Sequence, residues 1–185
     1  QQQNNGTILI DLWRAQADLA KWRGQALVAE ALLQQALPQA KKLSDKVHLA
    51  ALYEALAWLA ISQKEYDTAD SVTAQGLAIA RKIHHPEWQS VLLNTLSVVR
   101  HSQGDKSGSK QHQQASFDLA QTLRLTAHSA SIAANRGGIA WLNGRFKLAE
   151  KYWQQSDWLA QQSQNITILI NVRLYRARNY LEASQ

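Results

Sequence analysis

The sequence predicts an all-α protein, an α-solenoid of about nine antiparallel helices, and three observations carry that expectation. The first is a repeat of forty residues: Gly24, Lys64, Gly104 and Gly144 each open a comparable segment. The second is composition. With 45% hydrophobic and 18% charged residues and only 2 prolines among 185, in a chain rich in Ala, Leu and Gln, helix is favoured over strand or disorder. The third is a set of small residues at fixed places in every segment, which mark where helices approach too closely for a larger side chain.

Residues 1–6, Q-Q-Q-N-N-G, are polar and unpatterned and are expected to form a frayed lead-in. The opening helix, 7–23, follows from Leu12, Ala15, Leu19 and Trp22 at three- and four-residue steps, and Gly24 ends it. Four units then span 24–63, 64–103, 104–143 and 144–185, each expected to hold a helix, a short turn and a second helix. Together with the opening helix they make a single repeat domain over 7–185. Sixteen residues into the units stand Ala40, Ala80, Ala120 and Ala160; five in are Ala29, Ala69, Ser109 and Ala149; twelve in are Ala36, Gly76, Ser116 and Ser156. The second helices repeat Ala17, Ala57, Ser97, Gly137 and Ala177, preceded by Leu12, Leu52, Leu92, Ile132 and Val172. Two residues further come Leu19, Leu59, Val99 and Ile139, and the last copy departs with Asn179.

Turn signals fall where this frame needs them. Gly104-Asp105 and Asn143-Gly144 break helices, Ser44-Asp45 caps the start of the helix that follows, and Pro86 suits a first helical turn. Pro38 falls inside a helix and removes a bond to Gln34, so a kink or early end is expected there.

Composition also excludes chemistry. There is no cysteine, which removes disulfides and thiolate metal sites and leaves the compartment open between cytoplasm and export. The longest apolar run, residues 166–172, falls far short of the roughly 20 residues of a membrane span. Gln1 in place of Met, with no Met elsewhere, points to a processed protein or a piece of a longer one. The net charge of +6 lies in the second half: residues 1–92 hold nine basic and nine acidic side chains, and residues 93–185 eleven and five. His84 and His85 are adjacent and diverge, and His48 and His128 stand two units apart, so no metal site and no cofactor is expected. No nucleophile elbow, HExxH or phosphate loop is present, and acids such as Asp67 and Asp70 belong on solvated helix faces. Catalysis is not expected.

Gly144, Phe146, Ala149, Trp153 and Ser156, with Lys64, Tyr66, Ala69, Thr73 and Gly76 as a weaker copy, resemble the run of glycine, aromatic, alanine, large apolar and small residue of the tetratricopeptide repeat superfamily. Ser97 and Gly137 occupy the family's small position on the preceding helix. The resemblance covers residues 7–183 and is nearest to the long-helix variant of bacterial regulators and of the arrays preceding CHAT-type protease domains. The repeat is forty residues and lacks the closing proline, whereas the family's usual repeat is 34. A HEAT or armadillo array, with a period of about 40 to 47, is the alternative. Either implies a right-handed superhelix with a concave groove.

In the family's geometry one face of the odd helices lines that groove. Here the face holds Asp11, Arg14, Asp18 and Lys21, then Glu54, Trp58 and Ile61, then Asn94, Val98 and His101, then Ser131, Ala134 and Trp141, and last Asn171, Leu174 and Arg178. Asn135 and Arg136, with Asn94, are candidates to hydrogen-bond an extended backbone. Trp58 and Trp141 are either anchors for a partner or packing residues. Trp13, Trp22, Trp88, Trp153 and Trp158 are assigned to packing. Arg14 and Asp18 stand where a chaperone-binding clamp would have Lys and Asn, so that partner is not inferred.

The last helix, 166–183, is apolar nearly all round, and a further stretch of chain or a second subunit is expected to cover it. Its Arg173, Arg176 and Arg178 could grip an acidic surface. The expectation is therefore a non-catalytic scaffold or adaptor whose groove holds a peptide or partner protein. The alternative is a sensor or regulatory segment of a larger, protease- or transcription-regulator-linked protein. A weaker one is polyanion binding by the basic half, where only R-L-Y-R-A-R-N-Y interleaves basic and aromatic residues.

Overall fold

A residue with left-handed backbone stands every twenty positions along the chain and cuts it into helices. These are Gly24 (φ 73°), Ser44 (54°), Lys64 (64°), His84 (51°), Gly104 (87°), Arg124 (54°), Gly144 (70°) and Gln164 (52°). The next amide in each turn reaches back into the finished helix. Gln25, Asp45, Glu65, His85, Asp105, Leu125, Arg145 and Asn165 donate to the carbonyls of Ala20, Ala40, Ala60, Ala80, Arg100, Ala120, Ala140 and Ala160 at 2.9–3.0 Å. This closure satisfies carbonyls that a helix end otherwise leaves without donors. All the acceptors but Arg100 are alanines, and every one of those alanines is buried.

The computed structural model describes the backbone of residues 2–183 and the side chains of residues 6–181. Among them are nine helices and no strand: α1 (Gln2–Trp22), α2 (Ala26–Lys42), α3 (Lys46–Ser62), α4 (Tyr66–Lys82), α5 (Pro86–Ser102), α6 (Lys106–Thr122), α7 (Thr126–Leu142), α8 (Phe146–Gln162) and α9 (Ile166–Ala183). The fold is all-α, with chain-neighbour helices packed as in a helical solenoid. Starts are capped where the side chain allows: Asp45 accepts from the His48 amide at 3.0 Å, Asp105 from Gly108 at 2.8 Å and Asn165 from Ile168 at 3.1 Å. Pro86 sits in the first turn of α5.

Three local expectations are corrected. The opening helix begins at Gln2 instead of residue 7, so residues 2–6 are helical and not a frayed lead-in; residue 1 lies outside the described residues. Gly6 is buried against Leu43, and a Cβ there would come 2.7 Å from the Leu43 side chain, so glycine lets the first turns of α1 lie on the end of α2. Secondly, the early end expected at Pro38 does not occur: α2 continues through it to Lys42. Gln34 and Pro38 are both exposed, and water can serve the carbonyl that loses its donor. Thirdly, the apolar residues that predicted α1 are not its core face. Leu12, Leu19 and Trp22 are exposed, while Ile10, Ala17 and Ala20 are buried with Trp13 packed beside them.

The chain divides into two compact units, residues 1–109 and 110–185. In unit 1 each of α1 to α5 packs on its chain neighbour, and the odd helices also touch one another, α1 on α3 and α3 on α5. Among the described residues α2 and α4 make no such contact. The core combines Ile10, Leu33, Leu49, Leu52 and Leu59 with alanines at 17, 29, 36, 40 and 55. Gly76 belongs to the same small-residue set: a Cβ there would stand 2.9 Å from Leu92 and 3.0 Å from Tyr53.

In unit 2, α7 packs on α8, α8 on α9, and α7 on α9, around Ala140, Ala149, Trp153 and Val172. Gly137 lies directly under the Trp153 indole. Ser156 donates across the seam to the Ala130 carbonyl at 2.7 Å. The small positions predicted at 40, 80, 120 and 160 are all fully buried, as are those at 36, 116 and 156; Ala177 departs and is exposed.

Candidate functional site

In a curved two-layer stack the layer whose members touch is the inner one. The contacts of α1 with α3 and of α3 with α5 are those expected of such a layer, so the candidate face is sought on these helices. Positions 14, 18 and 21 share one side of a helix by their spacing, and the forty-residue repeat carries the same side onto α3 and α5. Three rows result: Arg14, Glu54 and Asn94; Asp18, Trp58 and Val98; Lys21, Ile61 and His101. All the members on α3 and α5 are buried or half-buried, and Asp18 is exposed.

The centre of the patch is a hydrogen bond along α3. The Trp58 indole N–H donates to Glu54 Oε1 at 2.6 Å. Burial pushes the Glu54 carboxyl up to about 7. The Lys21 charge and the Trp58 bond pull it back, Asp18 adds to the rise, and Arg14 lowers it. Lys21 is itself paired with Asp18 at 3.0 Å, and Arg14 with Asp11 at 3.4 Å. One row further, Asn94 is 4% exposed and its Oδ1 has no hydrogen-bond partner. Burial, and then the Lys106 charge, lower the proton affinity of His101. The patch thus sets the polar Glu54 and Asn94, with an acceptor that has no donor, beside the apolar Trp58, Val98 and Ile61. That pairing suits a chain segment offering both N–H groups and an apolar side chain.

In unit 2 the structure brings together two of the predicted residues, Trp141 and Arg178. Trp141 is half-buried with the Arg178 guanidinium 4.7 Å above its ring, and its indole nitrogen has no partner. Asn171 is half-buried. Asn135 is half-buried in the row of Ala55 and Thr95, which are buried in their own helices, and not in the row of Glu54 and Asn94. Arg136 is taken up between two rings, 4.4 Å from Phe117 and 5.9 Å from Tyr152, and burial lowers its proton affinity. Two of the α9 arginines are likewise engaged: Arg173 pairs with Asp157 at 2.9 Å and Arg176 with Glu150 at 2.8 Å. These α8–α9 bridges engage two of the three arginines that the sequence offered to an acidic surface.

Trp153 is a core residue at 2% exposure, donating to the Ala134 carbonyl at 3.1 Å and stacked on Tyr175 at 5.9 Å. Trp13 and Trp88 are half-buried. Trp22 and Trp158, assigned to packing, are 63% and 61% exposed. Their rows explain why. Ser62 and Ser102 in the row of Trp22, and Pro38, Ala78 and Asp118 in that of Trp158, hold the same places in other copies and are exposed too. Sequence reasoning gave no role to Asn179, which is 4% exposed in a row otherwise of Leu19, Leu59, Val99 and Ile139. The departure from an apolar row was the available signal.

Among the described residues, no three of His, Asp and Glu gather in a metal-binding group, and no helix is long and apolar enough to cross a membrane.

No family model matches the chain, and no curated protein matches its sequence. Solved structures do match. The chain is similar to BtubC (BKLC) from P. vanneervenii, at 19% identity and a TM-score of 0.63, over 99% of this chain and 85% of that one. It is also similar to a signal transduction ATPase with numerous domains (STAND) carrying a tetratricopeptide repeat sensor, from Pyrococcus horikoshii. There the identity is 14% and the TM-score 0.63, over 93% of this chain but only 27% of the other. At such identities the likeness shows a shared helical-repeat fold.

Proposed function

We propose that the chain is a tetratricopeptide-type interaction module without catalytic activity, and that the inner face of unit 1 holds a segment of a partner protein. The observation that carries this is the patch itself: the Trp58–Glu54 hydrogen bond, flanked by Arg14 and Lys21, beside a buried Asn94 acceptor without a donor. An N–H of the bound segment serves Asn94, and an apolar side chain packs on Trp58. Trp141 under Arg178 is a second aromatic contact in unit 2. A regulatory role within a larger protein is a second reading, supported by the likeness to a repeat array described as a sensor within a STAND protein. Binding of polyanions loses support, because Arg173 and Arg176 are already paired with Asp157 and Glu150.

The exposed side of α9, with Ile166, Ile170, Leu174 and Leu181 each more than half exposed, is a surface for further chain or for a second copy. The test of the inner face is affinity capture followed by mass spectrometry, with the captured protein then purified and titrated. Trp58→Ala and Trp141→Ala are expected to keep the helical melt and to weaken that binding at least tenfold, a loss of about 1.4 kcal/mol or more. Unchanged affinity in both variants defeats the assignment.

A further inference from the structure

Between α8 and α9 lies a recess of about 340 Å³, walled by Phe146, Lys147, Glu150, Lys151, Gln154, Asn179 and Tyr180. It belongs to unit 2 alone and is independent of the inner-face reading. Its volume is that of a small-molecule pocket. Two acceptors of its walls have no partner: Glu150 Oε2 and Asn179 Oδ1. The other carboxylate oxygen, Glu150 Oε1, is fully used. It accepts from Arg176 Nε at 2.9 Å, from Gln154 Nε2 at 3.0 Å and from the Tyr180 hydroxyl at 3.1 Å.

Burying an acceptor without a donor is costly, and here the repeat shows that the cost is not imposed by packing. In the row of Asn179, Leu59 and Val99 are buried at 3% and 0% exposure, so an apolar side chain fits this place in the fold. Asn179 keeps the burial, at 4%, and replaces the alkyl group with an amide. A buried polar side chain where its repeat mates are aliphatic, in the wall of the same recess as a half-satisfied carboxylate, fits a bound donor.

The surrounding charge narrows the class. Arg176 is shared between Glu150 and Asp157, and Lys147 and Lys151 line the recess with no acid paired to them among the described residues, so the neighbourhood is positive and disfavours a cationic ligand. Phe146 and Tyr180 supply flat apolar walls. We propose that this recess binds a small aromatic carboxylate bearing a neutral N–H or O–H donor: the donor serves Glu150 Oε2 and Asn179 Oδ1, the ring lies between Phe146 and Tyr180, and the carboxylate meets Lys147 and Lys151.

The test is calorimetric titration of the whole chain with three probes: indolepropionate, which carries ring, donor and carboxylate; naphthylpropionate, which lacks the donor; and tryptamine, which replaces the carboxylate by an ammonium. Indolepropionate is expected to bind saturably, and each of the others at least tenfold more weakly. Asn179→Leu restores the aliphatic row, so it is expected to melt at or above the wild-type temperature while losing at least tenfold in indolepropionate affinity. Lys151→Gln is expected to weaken the same probe several-fold without changing the melt. The proposal is overturned if indolepropionate gives no saturable heat, as when a water molecule already serves both acceptors. It is overturned equally if the three probes bind alike or if Asn179→Leu binds as wild type does.

Discussion

Gly137 and Gly138 are adjacent in the interior of α7 and meet opposite surroundings, which makes them a paired test of the packing at the centre of unit 2. A Cβ added at Gly138 finds nothing within 4 Å, whereas one added at Gly137 runs into Nε1 and Cδ1 of Trp153 and comes 2.7 Å from its Cε2. The indole has little room to retreat. It is 2% exposed, tied to the Ala134 carbonyl at 3.1 Å and stacked on Tyr175. Replacing an interior helical glycine by alanine gains about 1 kcal/mol in either place. At Gly138 that gain stands alone, so Gly138→Ala is expected to be about 1 kcal/mol more stable than wild type. At Gly137 overpacking costs roughly 1–3 kcal/mol and a displaced indole hydrogen bond about 1 more. Gly137→Ala is therefore expected to lose about 2 kcal/mol net, a gap of about 3 kcal/mol between neighbours. Urea denaturation followed by circular dichroism measures both. In the Trp153→Leu background the Gly137→Ala penalty should shrink to near zero. Equal stability of the two alanine variants, or a penalty that persists without the indole, refutes the close-approach account.

Two further outcomes follow from residues outside that seam. The folded-state pKa of Glu54, about 7, lies above the ordinary value of 4.5, so the folded chain holds this proton while the unfolded chain releases it. Stability falls as pH rises through that window and the loss is complete above it, on the order of 3 kcal/mol at about 1.4 kcal/mol per pH unit. Glu54→Gln keeps an acceptor for Trp58 and should flatten that slope, so a variant with the wild-type pH profile would exclude the buried-acid account. Lys64 holds a left-handed backbone at φ 64°. Lys64→Gly is expected to raise stability by about 1 kcal/mol in thermal melts, and destabilisation would show that the Lys64 side chain has a stabilising role there.

The inter-helix seams were legible because close approach demands a small side chain at a fixed place. The positions at 40, 80, 120 and 160 are buried alanines in every copy. The turns were half legible. Glycine marks residues 24, 104 and 144, but Ser44, Lys64, His84, Arg124 and Gln164 take the same backbone with nothing in their chemistry to announce it. There the hydrogen bond back to a buried alanine carbonyl holds the turn. The core face of α1 was misread because the helix is apolar on two sides, and periodicity alone does not choose between Leu12–Leu19 and Ile10–Ala17.

In the site, the grouping of Glu54, Trp58 and Asn94 on one side followed from spacing. The proton affinity of Glu54 did not, because it depends on burial and on Lys21 and Asp18 from another helix. The fate of the α9 arginines was hidden for a like reason: their acidic partners lie 16 and 26 residues away, on α8.

The left-handed residues recur at half the interval of the burial pattern, and this limits how the chain can change length. Splicing Arg23 to Ser44, or Arg23 to Lys64, leaves a left-handed residue at the junction in either case, and the backbone would close equally well. Only the second splice keeps outer helices outside and inner helices inside. The first would set α3, with eight buried residues, into the slot of α2, which buries four. Gains and losses of sequence in a lineage of such chains should therefore come in helix pairs, with solitary helices confined to the two ends.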